Sequence, residues 1–196
     1  MVKVVESVLP TKYGDFNLRV YSGSSNPDFP DLVLYTSKIF SSDIVDVRIH
    51  SECMTGDVFS SAKCDCGEQL NYSMKWMQEN GGIIIYLRQE GRGIGLVNKL
   101  LAYNLQDEGY NTREANLKLG FEEDQRDYKK AIDILNDLDV KKIRLLTNNP
   151  EKVKSFDKTL IEVVGRIPIE ITPNEINESY LHTKKHEMGH LLSQIQ

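Results

Sequence analysis

Apolar and polar positions alternate along Asp15–Tyr21, and β-branched or aliphatic residues crowd Leu32–Thr36 and Ile44–His50, which predicts three strands. The turn formers of Ser22–Pro30 form a loop after the first of them. Past residue 66 the period changes. Gly67–Glu79 predicts a helix stopped by Asn80-Gly81-Gly82, and the apolar run Ile83–Leu87 predicts a buried strand. A glycine-rich loop, Glu90–Gly95, then opens a helix over Leu96–Glu108, with an apolar stripe of Val97, Leu100, Leu101 and Leu105 and a stop at Gly109. Gln125–Leu138 predicts another helix, with Tyr128, Ala131, Ile132, Leu135 and Leu138 on one face. A strand over Lys142–Thr147, the cap-like Asn148-Asn149-Pro150, a short helix to Lys158, a strand over Ile161–Pro168 and a helix over Glu178–Leu192 complete the chain.

Strands alternating with helices from residue 67 onward predict an α/β fold whose partly parallel sheet is covered on both faces. The expectation is a single three-layer domain over residues 1–196, with a mixed sheet and an antiparallel, β-rich N-terminal portion. There is no internal repeat and no low-complexity tract.

Composition narrows the partners. With 196 residues, 40% hydrophobic and 27% charged, the chain has the makeup of an ordinary globular protein with one core. A net charge of −5 argues against a nucleic-acid partner, which needs a broad basic face, but leaves room for a local anion site. The longest purely apolar run, Ile83–Leu87, is far too short to span a membrane, and the first residues do not read as a secretory leader. The expected setting is the cytoplasm, with no membrane partner.

The three cysteines, Cys53, Cys64 and Cys66, fall within fourteen residues. Three thiols are one short of a closed four-cysteine structural site, whereas three protein ligands leave the open position of a catalytic zinc. The alternative is three ordinary, small, semi-buried side chains. Random clustering of the chain's only cysteines is improbable, and zinc is the reading carried forward.

Ligands of such sheets collect beyond the C-terminal ends of strands. Two such ends lead into loops with basic residues: Arg88-Gln-Glu-Gly-Arg-Gly-Ile-Gly95 and Thr147-Asn-Asn-Pro-Glu-Lys152. Glycine backbones and basic side chains there suit phosphate oxygens, although a tight turn alone would explain the glycines. Asp124 sits where a helix N-cap belongs, with Asp127 three residues on. Arg126 would then lie in the first turn, at the positive end of the dipole, so a carboxylate or ligand partner is expected for it.

Two patterns mislead. His186-Glu-Met-Gly-His190 matches the metallopeptidase H-E-x-x-H, but Gly189 weakens its helix and a third ligand downstream is missing. His50-Ser-Glu52 with Cys64 and Cys66 echoes zinc deaminases, but the P-C-x-x-C that these need is absent.

Six motifs occur together and in order: Arg48-Ile-His-Ser-Glu-Cys53-Met-Thr-Gly-Asp57, Lys63-Cys-Asp-Cys-Gly-Glu-Gln69, Arg88-Gln-Glu-Gly-Arg-Gly-Ile-Gly-Leu96, Asn116-x3-Gly120-Phe121, Asp124-x-Arg126-Asp127 and Leu145-Leu-Thr-Asn-Asn-Pro150. Through them the chain closely resembles GTP cyclohydrolase II, which opens riboflavin biosynthesis, over nearly its whole length. The tail Lys185-x2-Met-Gly-His-Leu-Leu192 belongs to that pattern without being a metal site.

The resemblance implies hydrolysis of GTP at two places, with loss of C8 as formate and release of pyrophosphate. The product would be 2,5-diamino-6-ribosylamino-4(3H)-pyrimidinone 5′-phosphate. By motif position it implies one zinc per chain on Cys53, Cys64 and Cys66, and a GTP site lined by Arg48, Ile49, His50, Ser51, Glu52, Gln69, Glu90, Gly91, Arg92, Thr112, Thr147 and Lys152. Asp124 becomes the proton acceptor, Arg126 the nucleophile, and Tyr103 the tyrosine near the imidazole. Magnesium with the triphosphate and a homodimer are also implied.

Zinc would activate water for attack at C8. Gln69 or Glu90 would read the guanine edge, and Arg92, Lys152 and magnesium would balance the triphosphate. Since arginine stays protonated, a charge clamp by Arg126 on the phosphoryl group stands beside the nucleophile role. A GTP-binding paralogue without turnover and a variant stopping at the formylamino intermediate are the alternatives.

Overall fold

The computed structural model describes residues 2–22, 29–122 and 124–195, so positions 23–28 of the predicted Ser22–Pro30 loop lie outside the described residues. The strands are β1 (Val2–Thr11), β2 (Gly14–Ser22), β3 (Asp31–Tyr35), β4 (Val45–Ser51), β5 (Ile83–Leu87), β6 (Lys142–Leu146) and β7 (Glu162–Ile167). The helices are α1 (Met54–Asp57), α2 (Cys66–Asn80), α3 (Gly95–Asp107), α4 (Thr112–Lys118), α5 (Lys129–Asp137), α6 (Pro150–Lys154) and α7 (Glu178–His186). All seven strands join one sheet in the order β1-β2-β3-β5-β4-β6-β7. β1, β2, β3 and β5 pair antiparallel in turn, while β4–β6 and β6–β7 are parallel. This is the expected mixed α/β sheet with an antiparallel N-terminal portion.

The chain divides into two compact units. The first takes the described residues of Met1–His50, Leu70–Arg88 and Tyr128–Ile169, and the second those of Ser51–Gln69, Gln89–Asp127 and Glu170–Gln196. In the first unit, strand periodicity sorts side chains to two faces. Val33, Val47, Ile49, Ile83, Ile85, Ile143 and Leu145 meet Ala131, Ile134 and Leu135 of α5 on one face. Ile84, Leu146 and Phe16 meet Met77, Leu70 and Met74 of α2 on the other. β4 and β5 are therefore buried almost throughout, as strands covered on both faces must be.

Several boundaries differ from the sequence reading. β1 precedes the first predicted strand, and α4 was not predicted. The helix expected from Gln125 begins at Lys129, so neither Asp124 nor Asp127 caps it and Arg126 lies outside its first turn. The stripe expected to be buried on α3 is largely outward: Val97, Leu100 and Leu101 are exposed, and the buried residue is Ala102. The C-terminal helix ends at His186, and the chain turns through Gly189 at φ +66°. His186 and His190 thus do not share a helical face, which removes the peptidase geometry.

Candidate metal centre and substrate site

In the second unit, the loop into α1 and the start of α2 converge the three thiols. Among the described residues, Cys53, Cys64 and Cys66 are the one group of three or more His, Cys, Asp or Glu whose donor atoms all lie within 4.8 Å of one another. Cys53 Sγ and Cys64 Sγ are 3.6 Å apart, close to the ~3.8 Å that tetrahedral zinc at ~2.3 Å from each sulfur would require. A Cβ on Gly56 would come within 2.8 Å of Cys64 Sγ and 3.3 Å of Cys53 Sγ, so only glycine leaves space for the sulfurs. On Gly67 a Cβ would lie 2.2 Å from the Gly56 carbonyl oxygen. The donor set and its cradle fit a thiophilic cation.

Hydrogen bonding from Cys64 and Cys66, and then the charge of Lys99, hold the Cys53 thiol strongly toward the thiolate. Hydrogen bonding with Cys53, reinforced by burial, pushes Cys64 up to about 11, and hydrogen bonding with Cys53 and Cys64, again with burial, pushes Cys66 well above its ordinary range. The three sulfurs therefore oppose one another's ionisation, and a divalent cation would let all three ionise.

Two lysines flank the trio. Lys99 Nζ, on α3, donates to Cys53 Sγ at 3.0 Å, Thr55 Oγ1 at 2.9 Å and Glu90 Oε1 at 2.8 Å. Lys184 Nζ, on α7, donates to Asp65 Oδ1 at 2.7 Å, both side chains buried, and Gln69 Nε2 donates to Asp65 Oδ2 at 2.6 Å. Burial works against the Lys184 charge, but Asp65 overrides it and the ammonium is firmly held. Gly56, Asp65 and Lys184 were not singled out from sequence.

Glu90 turns its carboxylate inward. Oε2 accepts from Met54 N at 2.6 Å, and Oε1 accepts from Gly91 N at 2.8 Å as well as from Lys99. The turn that follows is tight, with Gly91 and the non-glycine Arg92 both at φ +61°. Arg92 O accepts from Gln125 N at 3.1 Å, which brings the Asp124–Arg126 segment to this turn. Asp124 Oδ1 accepts from Arg126 N at 3.0 Å and Nε at 2.8 Å, and Oδ2 pairs with Arg126 Nη2. Burial pushes the Asp124 carboxyl up, yet the bonds and charge of Arg126 more than offset that and hold it below its usual range. The carboxylate partner expected for Arg126 is thus Asp124.

Tyr103 lies half-buried near the thiols, its ring 5.8 Å from Lys99 Nζ and 5.0 Å from Lys63 Nζ. Burial raises its phenol above the ordinary value, so it stays protonated at neutral pH. Ser51 Oγ accepts from Gln89 Nε2 at 2.8 Å, and Glu52 is half-buried. Thr112 opens α4, but its side chain lies outside the described residues.

The remaining candidates belong to the first unit. Arg48 Nη1 donates to Leu146 O at 3.0 Å, and Lys152 Nζ donates to Ile49 O at 2.7 Å, both side chains buried. Ile49 itself is core, which leaves only its backbone for the binding role that the resemblance implies. His50 stacks on Tyr86 at 5.4 Å. Thr147 Oγ1 accepts from Asn149 N, and Asn149 Oδ1 accepts from Glu151 N, which caps α6 ahead of Lys152.

The family model for GTP cyclohydrolase II matches residues 2–168. The chain belongs to the GTP cyclohydrolase II family. Similar curated proteins include riboflavin biosynthesis protein RibBA of Chlorobium phaeovibrioides, 47% identical over 192 residues that cover 97% of this chain and 47% of that protein. RibBA of Bacillus cereus strain AH187 is 47% identical over 194 residues, covering 98% and 49%. The chain spans about half the length of these relatives. A solved structure from A. baumannii, RibBX, a two-domain 3,4-dihydroxy-2-butanone 4-phosphate synthase, aligns at TM-score 0.41 and 20% identity over 83% of this chain and 39% of that one. At that score the likeness carries no argument. The similarity to these RibBA proteins extends past residue 168 into the segment that bears Lys184. Among the described residues, no helix is long and apolar enough to cross a membrane.

Proposed function

We propose that this chain hydrolyses GTP, opening the imidazole ring with loss of formate and releasing pyrophosphate, to give 2,5-diamino-6-ribosylamino-4(3H)-pyrimidinone 5′-phosphate for riboflavin biosynthesis. The observation that carries the reading is the cradle of three thiols beside Tyr103 and the Glu90–Gly93 turn, in a chain of this family. Cys53, Cys64 and Cys66 would hold one zinc ion, which supplies the Lewis acidity that acidifies water at neutral pH.

The chain's own groups divide the remaining work. Tyr103, kept protonated by burial, can donate a proton or hydrogen bond to charge developing on the opening ring. Asp124 is ionised and clamped to Arg126, so it accepts a proton only as that clamp loosens. Arg126 remains a guanidinium, which favours stabilising phosphoryl charge over attack at phosphorus. Because three donors already occupy the Glu90 carboxylate, reading the guanine edge falls more naturally to Gln69, with Glu90 shaping the turn. Arg48, Arg92 and Lys152, with magnesium, would balance the triphosphate, while Ile49, His50, Ser51, Glu52, Gly91, Thr112 and Thr147 line the substrate. The three free thiols suit a reducing, cytoplasmic setting. A homodimer without nucleic-acid or membrane partners completes the reading, and sedimentation tests it.

The decisive experiment incubates the protein with GTP and magnesium and identifies products by mass. Formate and pyrophosphate are expected in equal amounts. Pyrophosphate without formate, with a formylamino product, would point to arrest after ring opening and before the formyl group is lost, and unreacted GTP would sink the proposal.

A further inference from the structure

We infer that Lys99 is a positioning residue that ties cation binding at the three thiols to the shape of the Glu90–Gly93 turn. The inference deepens the zinc reading above and rests on it. An ammonium has three N–H donors, and Lys99 aims Nζ at three acceptors: Cys53 Sγ at 3.0 Å, Thr55 Oγ1 at 2.9 Å and Glu90 Oε1 at 2.8 Å. Its side chain is only 11% exposed. A flexible, strongly hydrated lysine is costly to bury unless paired, so this placement is specific.

Charge accounting explains its use. A divalent cation with three thiolates carries a net charge of −1, and one ammonium beside Cys53 neutralises it. A charge-assisted N–H···S bond also withdraws electron density from Cys53, which leaves the bound cation a stronger Lewis acid. Groups that orient and polarise metal ligands in this way commonly matter 10- to 100-fold for affinity or activity.

Glu90 carries the link onward. Its carboxylate joins Lys99 to two backbone N–H groups, Met54 N directly after Cys53 and Gly91 N in the turn. The adjacent Arg92 sits at φ +61°, a conformation that costs energy for a side chain with a Cβ and persists only where its surroundings enforce it. A shift at Cys53 therefore reaches the turn that presents Arg92, through three hydrogen bonds and no intervening solvent-exposed group. By linkage, whatever orders the turn also tightens the cation.

The test compares wild-type protein with Lys99→Met, Lys99→Arg and Glu90→Gln. Zinc affinity is measured by chelator competition, and the sulfur-to-cobalt charge-transfer band is recorded after Co²⁺ substitution. Lys99→Met should bind zinc about 10- to 100-fold more weakly and shift the cobalt band. Its kcat should fall more than its KM rises. Lys99→Arg, which keeps the charge, should recover most of the affinity. Glu90→Gln should weaken zinc binding although Glu90 has no bond to any cysteine in this structure. Wild-type affinity and an unshifted band in Lys99→Met overturn the inference and leave the zinc reading standing. If Lys99→Met does not fold, unchanged affinity in Glu90→Gln overturns it instead. Wild-type protein that takes up neither zinc nor cobalt removes the zinc reading and this inference with it.

Discussion

Each compact unit holds a dense polar cluster, and the two are built on opposite principles. In the first unit Arg19 gathers Glu6, Tyr21, Tyr35 and Asp137 across β1, β2, β3 and the end of α5. Arg19 Nε donates to Glu6 Oε2 at 2.7 Å, Tyr35 OH to Glu6 Oε1 at 2.6 Å, and Tyr21 OH to Asp137 Oδ2 at 2.6 Å. Donors and acceptors there answer one another, so the cluster is complete within the protein. In the second unit three thiols are pressed together, and hydrogen bonding with Cys53 pushes the other two up. That cluster offers three soft donors that could hold a cation. A fold spends stability on such an arrangement where function needs a ligand, and avoids it elsewhere.

The contrast is broken most completely at the sulfurs. Cys64→Ser replaces an ionisable thiol with a hydroxyl that stays protonated at neutral pH, and should abolish zinc retention and formate release. Full activity in metal-free variant protein would refute the role. Gly56→Ala should be nearly as severe without touching a ligand, because the new Cβ would sit 2.8 Å from Cys64 Sγ. Stoichiometric zinc in that variant would show that the cradle can yield. Next comes the buried pair behind the trio. Lys184→Met removes the ammonium from buried Asp65, which should cost about 3–5 kcal/mol in urea unfolding, and adding Asp65→Asn should return part of it. A loss below 1 kcal/mol, roughly that of an exposed pair, would place Lys184 with ordinary surface charge.

What the sequence disclosed, and what it hid, follows the same division. The strands of the double-covered sheet were legible because long apolar runs such as Ile83–Leu87 have few alternatives. β1 was missed because Val4-Val5 breaks strict alternation, and the structure has a register shift between Lys3 and Val5 at that place. α4 did carry a signal, an Asn111–Glu114 capping box that the structure forms in both directions. Asp124 and Asp127 imitated such a box, but Asp124 spends its oxygens on Arg126 instead. The cysteines stood out by rarity. Lys184 could not, since most lysines are solvated and only tertiary packing distinguishes this one.

Tyr103 sharpens the comparison at a smaller scale, since it lies beside the trio and is not one of the three sulfur donors. Tyr103→Phe keeps the ring over Lys99 and removes the phenol. Formate release should slow about 10²-fold, as for loss of a general acid, while pyrophosphate release and zinc content change much less. Equal losses in both products would argue that Tyr103 places the whole nucleotide and takes no part in ring chemistry.

The mildest expected effect lies in the self-contained cluster, and pH exposes it. Bonds from Lys3, then Tyr35 and Arg19, pull the Glu6 carboxyl from 4.5 down to about 2. A carboxyl depressed in the folded state stabilises above its unfolded pKa, and that contribution is lost as pH falls through the folded one. Glu6 is partly solvent-exposed, so screening limits its worth to at most about 1 kcal/mol. Urea midpoints of wild type and Glu6→Gln should therefore differ modestly at pH 7, and by the same amount down to roughly pH 4.5. Most of the gap should close between there and pH 2, and the rest below it, once Glu6 is neutral in the folded state as well. A difference that stays undiminished through that range would assign the effect of Glu6 to packing against β2 and β3, and the cluster would then owe little to its charge.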